Sequence, residues 1–262
     1  MSGGRPPGFT VGVPRLVLGG RLLFENFRLR IEAGRWTCVL GPSGVGKTTL
    51  LRLIAGLLPG ALVVTDDGRP LAGRLALMAQ QDLLLPWLSV LENALLGWRL
   101  RGERRSRAAE LEGSARELLA RVGLAGREDD LPQALSGGMR QRVALARTLM
   151  ERRPVVLMDE PFSALDAITR HRLQDLAARL LAGHTVVMVT HSPLEALRLG
   201  HRILVLRGRP VQVSEVSAPE SPIPRDPGDP ALLAREAELW RVLAASAGAE
   251  EDESCAPFSA RS

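Results

Sequence analysis

Residues 41–49 constrain the fold of this chain more than any other segment. They read G-P-S-G-V-G-K-T-T, which matches the G-x-x-x-x-G-K-[ST] pattern of a phosphate-binding loop. In such a loop the glycines let successive backbone N–H groups converge on an anion, and the following helix contributes its positive end. Residues 35–40 read as a buried strand and residues 50–55 as an apolar helix. This strand–loop–helix setting favours a phosphate site over a glycine-rich turn that ends in Lys-Thr by chance.

The charge composition points to the same loop. Of 34 basic residues, Lys47 is the sole lysine. Lysine and arginine are not interchangeable where a compact point charge must fit under a phosphate chain. The Thr48 hydroxyl is a candidate Mg²⁺ ligand. The residues predicted to bind the phosphate groups are Gly41, Pro42, Ser43, Gly44, Val45, Gly46, Lys47, Thr48 and Thr49.

Strands and helices alternate along most of the chain. Near-continuous apolar strands that alternate with helices are typical of a parallel sheet covered on both faces. We therefore predict an α/β fold with a mostly parallel sheet, a small N-terminal antiparallel β part and an inserted helical subdomain. The predicted strands cover residues 22–31, 36–40, 74–79, 155–159, 185–190 and 202–206. The predicted helices begin near residues 47, 90, 107, 139, 167 and 193.

The predicted organisation has one large domain and several flanking segments. Residues 1–14 are rich in Gly and Pro and read as a flexible N-terminus. The remaining boundaries are a main domain at 15–215 with its helical subdomain at about 82–150, a Pro-rich linker at 216–230, a C-terminal helix at 231–247 and a disordered acidic tail at 248–262. No run of 18 or more apolar residues and no secretory signal is recognised, so we expect a cytosolic protein. Two cysteines indicate neither a disulfide framework nor a metal site.

A second motif specifies the chemistry of the phosphate site. Residues 155–159 form an apolar strand that ends at Asp159, and Glu160 follows directly. Successive side chains of a strand point to opposite faces, so the two carboxylates serve different tasks. Asp159 is predicted to hold Mg²⁺, and Glu160 to orient and polarise an attacking water. The alternative is an ordinary solvated turn, which the phosphate-binding loop upstream makes less favourable.

A third motif identifies a family. Residues 135–142 read L-S-G-G-M-R-Q-R. Ser136 can cap the following helix, and Gly137 and Gly138 let backbone N–H groups approach an anion; taken alone, the segment is also consistent with a simple capped helix. In order with the other two motifs it resembles the signature of the ABC ATPases, and the resemblance extends over about residues 19–206. The fold this implies is that of a P-loop NTPase.

The resemblance implies an ATPase that works as a dimer. In the family, two domains face head to tail, and each ATP with its Mg²⁺ lies between one subunit's phosphate-binding loop and the other's signature helix. A second copy of this chain is therefore the expected partner, and the expected activity is hydrolysis of ATP to ADP and phosphate.

Single residues also match positions of the family pattern. Gln80 resembles the glutamine that contacts Mg²⁺ and the lytic water, with Gln81 as the alternative. His191 resembles the histidine that touches the γ-phosphate, and Asp166 lies in a segment similar to the loop that crosses the dimer. Leu18 stands where the family commonly places an aromatic residue against adenine. Apolar contact with the base would survive this change, but ring–ring stacking would not, so we expect weaker ATP binding.

The resemblance leaves two classes of protein. Soluble ABC ATPases of translation or DNA repair generally carry two nucleotide domains, coiled coils or zinc modules, none of which is recognised here. The stand-alone arrangement resembles bacterial importers, and residues 82–93 resemble subunits that serve nitrate, sulfonate, taurine or pyrimidine thiamine-precursor importers. This implies a peripheral location at the cytoplasmic face of the inner membrane, permease subunits as partners and, indirectly, an extracytoplasmic solute-binding protein.

The same segment provides a candidate contact with the permease. Leu85 and Trp87 are predicted to be exposed apolar anchors, the alternative being that Trp87 belongs to the core. The arginine-rich run at residues 99–107 reads as a solvated loop. We expect no nucleic-acid partner, although the formal net charge is +5.

Overall fold

The computed structural model describes residues 6–102 and 107–254, with side chains as far as residue 244. The predicted solvated loop at 99–107 thus lies partly outside the described residues. The strands are β1 (Phe9–Leu18), β2 (Arg21–Ile31), β3 (Trp36–Leu40), β4 (Leu62–Thr65), β5 (Leu75–Met78), β6 (Val155–Asp159), β7 (Thr185–Val189), β8 (Arg202–Arg207) and β9 (Gln212–Val216). The helices are α1 (Lys47–Ile54), α2 (Val90–Ala94), α3 (Leu96–Leu100), α4 (Ala108–Arg121), α5 (Gly137–Met150), α6 (Ala167–Leu180), α7 (Pro193–Leu199) and α8 (Pro230–Ser254).

The central sheet has the strand order β5-β6-β7-β3-β8-β9. The strands β5, β6, β7, β3 and β8 run parallel, and β9 adds to β8 in the antiparallel direction. All residues of β3, β6 and β7 are buried. Burial on both faces explains why these strands read as continuous apolar runs. The predicted mostly parallel sheet is confirmed.

A second, antiparallel sheet has the order β2-β1-β4. It confirms the predicted N-terminal β part, but β1 begins at Phe9, so the prediction of a flexible segment over residues 1–14 is wrong from residue 9 onward. Phe9, Val11 and Val13 are buried and alternate with less buried neighbours, and this face of β1 belongs to the same buried apolar cluster as side chains of α1. The Gly and Pro content obscured this period of two. Residues 1–5 lie outside the described residues.

The predicted helical insert corresponds to α2, α3, α4 and α5, which lie between β5 and β6 in the chain. In α4 the predicted apolar positions Leu111, Ala115, Leu118 and Leu119 are buried, and the helix packs against α2 and α5. This repeat places one face of α4 in the core.

The C-terminal part differs from the prediction in two ways. Strand β9 was not predicted. Helix α8 continues to Ser254, so the helix boundary at residue 247 and the disordered tail from residue 248 are wrong as far as residue 254. The many Ala and Glu residues there have high helix propensity, which the acidic composition concealed. Residues 255–262 of the predicted tail lie outside the described residues.

The strand directions place three loops at one edge of the central sheet. The segment that follows β3 is the phosphate-binding loop, the segment after β6 begins with Glu160, and the segment after β7 contains His191. Because carboxyl ends of parallel strands meet at the same edge, these segments are neighbours. None of the helices within the described ranges is long and apolar enough to cross a membrane.

Candidate functional site

Three glycines give the phosphate-binding loop its shape. Gly41, Gly44 and Gly46 have φ values of 150°, 78° and 112°, which L-residues with a side chain rarely adopt. Space restricts two of them as well. A Cβ on Gly41 would lie 2.5 Å from the carbonyl oxygen of Leu206, and one on Gly46 would lie 3.3 Å from the ring of Phe24. Glycine is therefore needed at these positions for the backbone to form the loop.

Lys47 closes this loop. It is the first residue of α1 and is 8% exposed. Its Nζ donates hydrogen bonds of 2.7 Å each to the carbonyl oxygens of Gly41 and Pro42. The ammonium therefore lies over the curve of the loop, where a compact charge fits and a branched guanidinium would need more space.

Asp159 is a buried carboxylate beside α1. Only 3% of its surface is exposed, and burial raises its pKa, partly opposed by a hydrogen bond with Thr48 and the charge of Lys47. Its Oδ1 is buried without a hydrogen-bond partner among the described residues. An unpaired carboxylate oxygen beside a threonine hydroxyl is the type of donor set that Mg²⁺ prefers.

A cavity of about 220 Å³ connects these donors to the segment after β5. Thr48, Asp159 and Gln80 line it, as does Gln81. The predicted metal ligands Thr48, Gln80 and Asp159 thus border one space, and their oxygen chemistry fits Mg²⁺.

Glu160 occupies a strained position at the end of β6. Its φ is 49°, in the left-handed region that costs a residue other than glycine about 1–3 kcal/mol. Its backbone N–H donates to the Val189 carbonyl at 2.9 Å, which ties this turn to the end of β7. The Glu160 side chain is 18% exposed, more than the buried Asp159 beside it.

The Glu160 carboxylate brings together two other predicted site residues. Its Oε2 accepts a hydrogen bond of 3.2 Å from Gln80 Nε2 and lies 3.4 Å from His191 Nδ1. Between the two candidate glutamines, this contact favours Gln80 over Gln81. Side chains from two other loops therefore converge on one oxygen of the Glu160 carboxylate.

The signature segment starts α5. Ser136 caps this helix and accepts a hydrogen bond of 3.3 Å from the Met139 N–H. A Cβ on Gly138 would lie 3.0 Å from the Ala164 carbonyl oxygen, so glycine allows α5 to approach that loop. Asp166 at the end of the loop caps α6, and the hydrogen bond from the Thr169 N–H lowers the pKa of Asp166.

Gln141 is a residue of this region that the sequence analysis missed. It is 6% exposed; its Nε2 donates to the Glu160 carbonyl at 2.9 Å and its Oε1 accepts from the Ala164 N–H at 2.8 Å. The side chain therefore fixes the signature helix to both Glu160 and the loop before α6. A detectable signal was a glutamine at the same helical face as Ala144, Leu145 and Thr148, which are all buried.

Ser192 follows His191 directly along the chain. It caps α7 and accepts a hydrogen bond of 3.3 Å from the Glu195 N–H. A serine hydroxyl serves a helix N-cap about as well as an aspartate does. Ser192 therefore has a structural role at the start of α7.

Leu18 lies at the end of β1, beside the β1–β2 turn, and is 49% exposed. The following strand packs Leu23 and Phe24 against Gly46 of the phosphate-binding loop. This hairpin therefore borders the loop. Contact of Leu18 with a nucleotide base stays a prediction.

Trp87 is 71% exposed, so the alternative that it belongs to the core is wrong. The other predicted anchor, Leu85, is only partly exposed. The buried Asn93 holds the turn between them: its Oδ1 accepts from the Leu85 N–H at 2.8 Å and its Nδ2 donates to the Leu88 carbonyl at 2.9 Å. This turn presents the Trp87 ring to the outside.

Comparison with known proteins gives matches over most of the chain. The family model described as ABC transporter matches residues 24–163, slightly more than half of the sequence. An uncharacterized ABC transporter ATP-binding protein of Haemophilus influenzae is 44% identical over 87% of this chain and 92% of its own. Aliphatic sulfonates import ATP-binding proteins of Burkholderia cenocepacia and Rhodococcus jostii are 42% and 46% identical, covering 91% and 87% of this chain and 88% and 92% of their own.

A solved structure has a similar fold. It is a dimeric ATP-binding cassette in a post-hydrolysis state with ADP and phosphate bound. The match has a TM-score of 0.72 and 30% sequence identity, and covers 81% of this chain and 100% of the other.

The buried charge of Asp159 leads to a prediction on stability. We expect Asp159→Asn to raise the free energy of unfolding by about 1–3 kcal/mol at pH 7 without nucleotide or Mg²⁺, because an unpaired buried carboxylate is costly. Since burial raises the pKa of Asp159, the parent loses stability as the pH rises from the ordinary carboxyl pKa to the raised one. The gain is therefore small in acid and grows as the pH rises through the raised pKa of Asp159.

Urea unfolding followed by circular dichroism across this pH range measures the effect. Asp129→Asn, at an exposed aspartate, is the matched control and should leave stability unchanged. A variant at residue 159 that is no more stable than the parent at pH 7 would contradict the prediction.

Proposed function

The chain belongs to the ABC transporter family, and we propose that it is the subunit that binds and hydrolyses ATP to drive an importer. The observation that carries the proposal is the convergence at one sheet edge. There, the loop with Lys47, the buried Asp159 and the contacts of Glu160 with Gln80 and His191 are neighbours. Phosphate binding, metal binding and water activation thus have candidate groups in one place.

Residues 41–49 would bind the phosphate chain of ATP. Their backbone N–H groups and the start of α1 supply positive potential, and Lys47 exchanges its carbonyl partners in the loop for phosphate oxygens. Thr48, Gln80 and Asp159 would hold Mg²⁺, which, when bound, neutralises charge on the phosphates. Leu18 offers an apolar surface for the adenine base at the edge of the hairpin.

Glu160 is the candidate base for hydrolysis. Its carboxylate accepts a proton from water as the water oxygen attacks the γ-phosphorus and the bond to the β-phosphate oxygen breaks, releasing ADP. His191 would donate a hydrogen bond to the γ-phosphate, and Gln80 would hold the carboxylate and the water in place. The contacts around Glu160 support these roles because they already place its carboxylate between the two other side chains.

A second copy of the chain would complete each site. Ser136, Gly137 and Gly138 begin a capped helix whose N–H groups suit an anion, and Asp166 lies in the neighbouring loop. In the proposed dimer these residues of one protomer contact ATP on its partner. The similarity to a dimeric cassette supports this arrangement.

The similarity to aliphatic sulfonate import subunits favours an importer over a soluble ABC ATPase of translation or DNA repair. We assign an organic sulfonate as the solute on this basis. The chain would bind permease subunits at the cytoplasmic face of the inner membrane, with Trp87 and the partly exposed Leu85 as apolar contacts, and an extracytoplasmic solute-binding protein would deliver the solute.

The role of Glu160 is tested by Glu160→Gln. The amide keeps the shape of the side chain but accepts no proton, so we expect hydrolysis to slow by roughly 10²–10⁴-fold while ATP still binds. ATP that is bound but not hydrolysed should then hold two copies of the chain together. Phosphate release and size-exclusion chromatography with ATP measure the two effects. Glu238→Gln, at an exposed glutamate, is the control, and turnover of Glu160→Gln at the parent rate would exclude Glu160 as the base.

The sole lysine is tested by two substitutions. We expect Lys47→Ala and Lys47→Arg each to weaken ATP binding at least about tenfold, because the first removes the charge and the second replaces a point charge with a larger planar group. Titration with a fluorescent ATP analogue measures the affinity. Arg179→Ala removes an exposed cation and should bind ATP like the parent. Parent-like affinity in Lys47→Ala would refute the phosphate-binding role.

The importer assignment is tested at Trp87. Uptake of a radiolabelled alkanesulfonate is measured in cells whose only copy of the chain carries Trp87→Ala, beside the ATPase rate of the purified variant. We expect uptake to fall at least about tenfold through loss of an aromatic interface contact, with the ATPase rate of the isolated subunit unchanged. Trp240→Ala, at another exposed tryptophan, should transport normally. Equal uptake in both variants would contradict the assignment.

A further inference from the structure

A series of buried polar side chains connects the segment before α8 with the backbone on both sides of His191. It comprises Thr190, Glu195, Gln174, Arg198 and Arg225, which are between 1% and 7% exposed. Buried polar groups are costly unless they are satisfied. Here the side chains of Thr190, Glu195, Gln174 and Arg198 are hydrogen-bonded to one another in turn, and Arg198 also donates to the backbone carbonyl of Arg225. Such a network restricts the elements that it joins to one relative arrangement.

The first connection is at Thr190. Its Oγ1 donates to Glu195 Oε2 at 2.6 Å and accepts from the Ser192 N–H at 3.1 Å. One hydroxyl thus bonds to the residue after His191 and to the first turn of α7. The backbone from residue 190 to residue 192 is therefore held from both sides of the histidine.

The Glu195 carboxylate is held in turn by α6. Its Oε1 accepts from Gln174 Nε2 at 3.2 Å, and Arg170 Nε lies 3.7 Å from the same oxygen. Its own backbone N–H donates to Ser192 Oγ. Both oxygens of the Glu195 carboxylate accept a hydrogen bond, one from Thr190 and one from Gln174.

Arg198 determines which way the Gln174 amide points. Its Nη1 donates to Gln174 Oε1 at 2.6 Å, and this leaves the amide NH₂ group to face Glu195. Its Nη2 also donates to Asp175 Oδ1 at 2.5 Å, and its Nε to the Arg225 carbonyl at 3.0 Å. Arg198 therefore joins α6 to the segment before α8.

Arg225 fastens that segment to the end of α7. Its guanidinium donates to the carbonyl oxygens of Leu197 at 2.5 Å and Gly200 at 2.8 Å. It also donates to Pro219 at 2.5 Å and Ser221 at 3.0 Å within its own segment. A cation at the C-terminal end of a helix satisfies carbonyls that have no partner in the helix. The predicted Pro-rich linker thus contains a buried anchor.

We propose that this network positions His191 for ATP hydrolysis, which makes Thr190, Glu195 and the segment with Arg225 positioning elements of the reaction. The proposal rests on the proposed function. The His191 side chain is 64% exposed and lies 3.4 Å from Glu160; its place is therefore set mainly by the backbone that carries it. The network holds that backbone.

The sharpest test compares two conservative substitutions at Thr190. Thr190→Val keeps the branched shape and removes the hydroxyl, whereas Thr190→Ser keeps the hydroxyl. We expect kcat to fall about 10- to 100-fold in Thr190→Val, as misplacement of a catalytic group by an ångström can do, with ATP affinity within about threefold of the parent. Thr190→Ser should retain most of kcat. A Thr190→Val protein with parent kcat would overturn the proposal.

Histidine NMR gives a second measurement that does not depend on activity. The chain has four histidines, so the ring signals are few, and His191→Gln assigns the signal of interest. We expect the His191 ring signals to shift in Thr190→Val and to stay in place in Thr190→Ser. Unshifted signals in Thr190→Val would overturn the proposal even where the melting temperature falls.

The far end of the network is tested with Arg225→Lys, which keeps a charge but loses the forked set of donors. We expect it to shift the His191 signals, while Arg235→Ala, at an exposed ion pair with Glu238 in α8, should not. Parent-like His191 signals in Arg225→Lys would remove the segment from the proposal. If the parent protein does not hydrolyse ATP, the proposed function is wrong. If the parent hydrolyses ATP and Thr190→Val does so at the same rate, only this further inference is wrong.

Discussion

Parallel pairing of β3, β6 and β7 is the constraint on which the site depends. In the observed register Val39 pairs with Val189, and Val189 pairs with Asp159. Three loops that are far apart in sequence therefore start at the same level of the sheet. Since side chains alternate along a strand, a shift of one residue in β6 would send each of its side chains to the opposite face of the sheet and move Asp159 away from α1.

The two carboxylates at the end of β6, Asp159 and Glu160, lie in different surroundings. Asp159 faces the interior, and one of its oxygens has no hydrogen-bond partner among the residues that the structure describes. Glu160 leaves the strand in a left-handed conformation and contacts Gln80 and His191. Both arrangements are unfavourable for folding alone: one buries a charge and the other strains the backbone. Unfavourable local features of this type are typical of sites that bind or react.

The parts of the fold and of the site that could be predicted from the sequence are those with a pattern in neighbouring residues. The phosphate-binding loop, β3, β6 and β7 have strong composition signals within a few residues, and the family resemblance indicated Gln80 and His191. Strand β1 was missed because Gly12 and Pro14 obscure its alternation. The contacts of Gln141 with Glu160, and of Arg225 with Leu197, were missed because the partners lie 19 and 28 residues away along the chain. Pairings of this kind depend on how elements pack, which no local pattern encodes.

The single buried lysine also has a consequence for proteolysis. A protease that cuts only after lysine has one internal target in this chain, the peptide bond between residues 47 and 48. That bond lies in the first turn of α1, next to a side chain that is 8% exposed. Cutting requires the turn to open, so, when reclosing is faster than cleavage, the cleavage rate follows the free energy of that opening. Cleavage after Lys47 therefore measures how often the phosphate-binding loop opens.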